Sequence, residues 1–193
     1  MSFSIVDRKM MSRALALAAK GRYTTSPNPT VGCVIAFGDD IVGEGFTRPF
    51  GGNHAEIEAL NQVSEATNSC VYVTLEPCSH EGRTGPCTTA LIKAGVSRVV
   101  IACEDPNPLV AGSGIKLLQE AGIEVECGLL EDQARELNKG FIKRHEHGLP
   151  WVLIKMAASM DGRTAMASGQ SQWVTTPASR KDVQRLRAGS CAI

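Results

Sequence analysis

From Cys70 onward the chain alternates between two kinds of segment. CVYVTL (70–75), RVVIAC (98–103) and IEVECGL (123–129) are short runs rich in β-branched residues, and stretches of helical character separate and follow them. Parallel strands cannot be joined by a tight turn. Strand–helix–strand alternation at this spacing therefore dictates parallel strands, with crossover helices on the faces of one sheet. A different unit precedes it. VGCVIAF (31–37) and IVGEGF (41–46) flank Gly38-Asp39-Asp40, which reads as an antiparallel hairpin. Hairpin first and alternation after predict an α/β fold, a three-layer α/β/α sandwich ending near His147.

The expected helices run over Asp7–Lys20, stopped by Gly21; His54–Ala66; Pro86–Ala94, with Pro86 in the first turn and Gly95 as the stop; Ile115–Glu120; and Glu131–Lys143, with Leu137 and Phe141 on one face. TTSPNPTVG (24–32) and DPNPLVAGSG (105–114) are loops. Beyond His147, LPWVLIKMAA (149–158) predicts a strand and PASRKDVQRLR (177–187) a helix. One strand and one helix cannot close a core. Residues 1–147 are therefore expected to form one domain, and 148–193 the beginning of a second.

Lys plus Arg and Asp plus Glu both number 20, giving a formal charge of zero. That balance argues against a broad basic face for nucleic acid. No apolar run is long enough to span a bilayer, and the amphipathic N-terminus lacks a cleavage site. Cytoplasmic residence is expected, with neither nucleic acid nor membrane as a partner. The apolar Trp151, Val152, Leu153 and Ile154 would be a liability if exposed, so a homo-oligomer, a dimer or larger, is expected.

Of seven cysteines, Cys33, Cys70, Cys103 and Cys127 sit in strand-like runs and are expected as buried, reduced thiols. Cys191 stands near the end. Only Cys78 and Cys87 follow prolines in polar loops, within LEPCSHEGRTGPC (75–87). Upstream, NHAEIEAL (53–60) supplies His54 and Glu56. One imidazole and two thiolates suit Zn²⁺, and three protein ligands leave the fourth position open, the arrangement of a catalytic ion. Glu56, two residues past His54, can face the same cavity without ligating, as a carrier of protons. His-x-Glu followed by Pro-Cys and a second Cys is the zinc-deaminase pattern, with eight residues here between cysteines that are commonly two apart. A closed structural zinc is the alternative, with His80 or Glu81 as fourth ligand. Glu76 is expected to serve local structure, and His145 and His147 to be solvated.

These motifs, with SPNPTVGCVI (26–35), DPNPLVAGSG and KMAASMDGRTAMASGQSQWVT (155–175), resemble the bifunctional riboflavin biosynthesis deaminase/reductase family over Met10–Ile193. The resemblance implies a cytidine-deaminase-like domain followed by the first strand and helix of a reductase resembling dihydrofolate reductase. It implies hydrolytic deamination at C2 of 2,5-diamino-6-(5-phosphoribosylamino)pyrimidin-4(3H)-one, with Glu56 catalytic and His54, Cys78 and Cys87 on zinc. Asn28, His80, Arg83, Asp105 and Asn107 would contact this phosphoribosyl pyrimidine. Each has a plain alternative in loop capping. Thr47 stands where that family usually carries histidine. On the reductase side Lys155, Ala157, Ser159, Asp161, Ser171, Trp173, Thr175 and Arg187 match stretches used for NADPH and substrate.

The rivals are a cytidine- or guanine-type deaminase, a nucleic-acid adenosine deaminase, and a zinc-stabilised module without catalysis. The charge balance and the long cysteine gap disfavour the adenosine deaminase.

The 193-residue polypeptide is expected to oxidise no NADPH. A spectrophotometric assay with the deaminated ribosyl product as acceptor checks this, and steady NADPH consumption would refute it.

Overall fold

A computed structural model describes residues 3–80, 85–108 and 110–193. Contacts divide the chain into Met1–Pro150 and Trp151–Ile193. In the first unit, strands β1 (Gly32–Phe37), β2 (Asp40–Phe46), β3 (Cys70–Val73), β4 (Arg98–Ile101) and β5 (Glu124–Cys127) form one sheet in the order β2-β1-β3-β4-β5. β1 pairs antiparallel with β2 and β3, while β3, β4 and β5 run parallel. The hairpin and the parallel run both stand as the sequence pattern predicts.

Helix α1 (Ile5–Ala18) packs on β1, β2 and β3 and touches α5 (Glu131–Leu137). On the other side α2 (Ala55–Leu60) lies on β1 and β2, followed by α3 (Cys87–Lys93) and α4 (Ser113–Glu120). The core is the apolar filling between these layers. Met10, Met11 and Ala14 of α1, Val34 and Ile35, Val71 and Val73, Val99–Ile101, Leu91 and Leu118 are all fully buried. Two glycines permit the close layers. A Cβ on Gly32 would lie 1.9 Å from the Ala14 carbonyl oxygen, and one on Gly45 would lie 2.1 Å from that of Ala55.

Several boundaries differ from the sequence pattern. The second helix ends at Leu60, not Ala66. Past Asn61 the backbone turns with i→i−3 bonds, and the Gln62 carboxamide donates to the Glu58 and Glu44 carbonyls. The helix expected over Glu131–Lys143 is two, α5 and α6 (Lys139–His147), because Asn138 breaks from helical geometry to bond elsewhere. His145 therefore lies on a helix, its ring 4.5 Å from that of Phe141. Cys127 is exposed, since β5 is the sheet edge, whereas Cys33 and Cys103 are buried as expected and Cys70 is half-buried.

In the second unit α7 (Pro177–Ala188) forms, with Thr176 accepting from the Ser179 N–H as its cap. Leu149–Ala158 makes no ladder, contrary to the strand its pattern predicts. A strand needs a neighbour for its N–H and C=O groups, and among the described residues none pairs there. Trp151, Val152, Leu153 and Ile154 are exposed, and α7 buries no residue. No helix among the described residues is long and apolar enough to cross a membrane.

Asp7 joins the layers electrostatically. It closes a capping box with Ser4, then accepts from the Tyr72 hydroxyl (2.9 Å) and the Arg98 guanidinium (2.6 Å), which also binds Glu126 of β5. Burial alone would raise its pKa. Arg98, Ser4 and Tyr72 more than offset that, so the carboxyl is held well below the usual range. A depressed folded-state pKa contributes stability that is complete above the unfolded value near 4 and fades as pH falls below it.

Asp7→Asn is expected to cost about 2 kcal/mol at neutral pH, less than for a fully buried pair because the Arg98 side chain is 22% exposed. Urea midpoints of the unsubstituted chain should drop more steeply than those of the variant between about pH 5 and about pH 3. Parallel pH profiles would contradict the assignment.

Candidate metal centre

The loops that carry the candidate residues gather at one end of the sheet. β2 ends at Phe46 and leads through Thr47 to His54; β3 ends at Val73 and leads to Cys78; β4 ends at Ile101 and leads to Asp105. β1 runs the other way, and its first residue, Gly32, pairs with Phe46. Asn28 therefore enters the sheet at the same end.

His54 is the N-cap of α2, with extended backbone (φ −73°, ψ 162°), and Cys87 is the first residue of α3, behind the N-cap Pro86. Both helix starts lie at this sheet end. The His54 imidazole Nδ1 is 3.5 Å from Cys78 Sγ and 3.3 Å from Cys87 Sγ, and the three ligand atoms lie within 4.8 Å of one another. A tetrahedral zinc ion with bonds of ~2.3 Å to sulfur and ~2.0–2.1 Å to nitrogen separates these atoms by about 3.6 Å. The donor set and its spacing fit that ion. Among the described residues it is the one such group, and His80 is not in it. Glu81 lies outside the described residues.

The sulfurs are already arranged for a cation. The Cys87 backbone N–H points at Cys78 Sγ at 3.3 Å, as a helix start does for a thiolate. A hydrogen bond from the Cys87 thiol, with help from His54, holds the Cys78 thiol well below its usual range, and Cys87 is raised in turn. The hydrogen bond to Cys78 also raises His54. Binding a dication would displace these protons.

Glu56, the second residue of α2, is 4% exposed. Burial pushes its carboxyl up to about 7, and the charge at Cys78 adds to the rise. The Cys87 thiol is its hydrogen-bond partner. The arrangement thus holds a buried carboxyl beside a three-donor cation site.

Two residues brace the cysteine loop. Glu76 sits buried and accepts from the backbone N–H groups of Asp105, Gly112, Gly114 and Ile115, at 2.8–3.2 Å. It ties the loop before Cys78 to the loop after β4 and to the start of α4. This is a structural role, as its setting suggests. Thr88 donates its N–H and hydroxyl to the Cys78 carbonyl, both at 3.2 Å. Nothing in its sequence position announces that.

Of the candidate substrate contacts, Asn28 and Asn107 are half-buried and His80 is exposed. Asp105 is half-buried, with its pKa raised by burial, and accepts from the Asn107 N–H at 2.8 Å, the turn-building role open to it from sequence. Arg83 lies outside the described residues. Thr47 is buried; its hydroxyl lies 3.1 Å from the Val31 N–H and 3.4 Å from the Val31 carbonyl.

In the second unit Ser159 and Asp161 bond within a turn, and the Arg180 guanidinium stacks over Trp173 at 4.3 Å and donates to the Thr175 carbonyl. Lys155, Ser171 and Arg187 are exposed and Ala157 half-buried.

Comparison with known proteins agrees with the geometry. The family model for the cytidine and deoxycytidylate deaminase zinc-binding region matches residues 4–103, and the one for the RibD C-terminal domain matches 150–193. The chain is 56% identical to riboflavin biosynthesis protein RibD of Haemophilus influenzae over 194 aligned residues, all of this chain and 52% of the relative. It is similar to the solved structure of Acinetobacter baumannii RibD (TM-score 0.92, 56% identity, 95% of this chain and 52% of that one). It is also similar to a Thermotoga maritima diaminohydroxyphosphoribosylaminopyrimidine deaminase/5-amino-6-(5-phosphoribosylamino)uracil reductase (TM-score 0.90, 39% identity, 94% and 53%). The chain spans about half the length of the relatives it matches. With the His-x-Glu and two Pro-Cys elements brought to one sheet end, and a family model covering more than half its length, the chain belongs to the cytidine and deoxycytidylate deaminase zinc-binding family and is homologous to RibD.

Proposed function

We propose that the chain hydrolyses the exocyclic amine at C2 of 2,5-diamino-6-(5-phosphoribosylamino)pyrimidin-4(3H)-one, as zinc deaminase of a riboflavin pathway enzyme. The observation that carries this is the buried Glu56 carboxyl beside the His54–Cys78–Cys87 donor set. A zinc ion held there supplies Lewis acidity and brings the pKa of a bound water to roughly 7. Glu56 takes one proton from the attacking water and delivers it to the ring nitrogen as the C–O bond forms at C2; it then takes the proton of the new C2 hydroxyl and delivers it to the departing amine. The C–N bond breaks, leaving a ring carbonyl and ammonia. Glu56 suits both directions because a carboxyl with a pKa near neutrality gives and takes a proton at small cost.

In this reading Asn28 meets the pyrimidine edge, Asp105 and Asn107 line the pocket, and His80 and Arg83 meet ribose and phosphate. Residues 1–147 form the deaminase domain. Residues 148–193 begin a reductase domain in which Lys155, Ala157, Ser159, Asp161, Ser171, Trp173, Thr175 and Arg187 face NADPH or its substrate. The exposed Trp151–Ile154 run supports cover by further protein, in a cytoplasmic homo-oligomer.

Glu56→Gln is the decisive variant. Ammonia release from the diaminopyrimidine phosphate is expected to fall by about 10²-fold or more, while zinc stays at one ion per chain by elemental analysis. Turnover surviving in Glu56→Gln, or release of ammonia from cytidine or guanine in preference, would contradict the proposal.

A further inference from the structure

We infer that Asn138 is a positioning residue for the substrate loop, acting through the backbone of Thr30 on Asn28. The inference rests on the deaminase reading above, in which Asn28 meets the pyrimidine.

Asn138 lies 108 positions from Thr30, yet its carboxamide closes both hydrogen bonds of that residue's backbone. Its Oδ1 accepts from the Thr30 N–H at 2.8 Å, and its Nδ2 donates to the Thr30 carbonyl at 2.9 Å. Both residues are 5% exposed. The side chain thus imitates the peptide group of a neighbouring strand just where β1 has not yet begun. It does so at a local cost. Asn138 leaves helical geometry (φ −113°, ψ 20°), and α5 and α6 part there. The break coincides with the pairing to Thr30.

The clamp is two-sided. The Thr30 hydroxyl donates to the Ala18 carbonyl, and one residue on, Val31 is held by both the backbone and the hydroxyl of Thr47. Thr30 and Val31 are therefore fixed by three separate elements, and Asn28 stands two residues before the first of them. The Asn28 N–H itself closes a turn on the Thr25 carbonyl. The short tether from Asn28 to a fully bonded Thr30 makes the carboxamide of Asn138 a determinant of where Asn28 points. Only a side chain with one donor and one acceptor at this length fits. Leucine keeps the bulk and loses both bonds, and aspartate keeps the acceptor and loses the donor.

The test is a double-mutant cycle on the zinc-loaded 193-residue chain, with the diaminopyrimidine phosphate as substrate. Asn138→Leu should keep one zinc per chain and lower kcat/KM about tenfold or more, through KM rather than kcat. Asn28→Ala should do the same, and the double variant should fall no further than either single change. Unchanged KM in Asn138→Leu, a silent Asn28→Ala, or losses that multiply in the double variant would overturn the inference. If Asn138→Leu does not fold, Asn138→Asp, which keeps the acceptor for the Thr30 N–H and loses the donor to its carbonyl, should show a smaller loss of the same kind, again through KM; an unchanged KM in Asn138→Asp would overturn the inference as well. Absence of ammonia release by the unsubstituted chain would instead remove the deaminase reading, and this inference with it.

Discussion

Two sulfurs and one imidazole nitrogen, drawn from residues 54, 78 and 87, lie within bonding range of a single small cation. That cluster is unfavourable to assemble unless something charged occupies or pays for it, since burial opposes thiolates and the donors compete for the same protons. The fold imposes it anyway. β2, β3 and β4 end at one side of the sheet, and two helices begin there, α3 with its first N–H directed at Cys78 Sγ. Gly45 lets α2 lie against the sheet closely enough for His54 to reach. The site is the meeting point of those constraints, and the rest of the first unit is what makes them coincide.

Around the cluster, several polar side chains bind backbone. Glu76 gathers four N–H groups, Thr88 holds the Cys78 carbonyl, Thr47 holds Val31, and Asn138 holds Thr30. Loops at the mouth of a site have no ladder to satisfy their peptide groups. Buried carboxylates, hydroxyls and carboxamides take that place and set the loops rigidly. Glu56 is buried beside the cluster, its carboxyl pushed up to about 7 by burial and hydrogen-bonded to the Cys87 thiol.

Much of this was legible in the sequence because it follows from local pattern. The hairpin, the parallel alternation, the helix starts at His54 and Cys87, and the ligand triad all follow from periodicity, turn residues and residue type. What was hidden depends on distant partners. Asp7 looked like one charge on an amphipathic helix, and it is buried because Arg98, 91 positions away, neutralises it. Asn138 looked like a tolerated residue inside one long helix; as a weak helix former, with Gly140 two residues on, it gave a local hint of the break. The strand expected at Leu149–Ala158 has the composition of a strand and no neighbour to pair with, and pattern does not report partners. Cys127 follows the same logic, since strand position says nothing of whether that strand is an edge.

The central claim is a cation held by one nitrogen and two sulfurs, with room for a fourth, non-protein ligand. X-ray absorption at the zinc K-edge of the loaded chain measures this directly. The account predicts two sulfur scatterers at about 2.3 Å and two light scatterers at about 2.0–2.1 Å, of which only one shows the outer-shell pattern of an imidazole. A shell with a third sulfur, or with a second imidazole, would place another protein atom in the open position and contradict it.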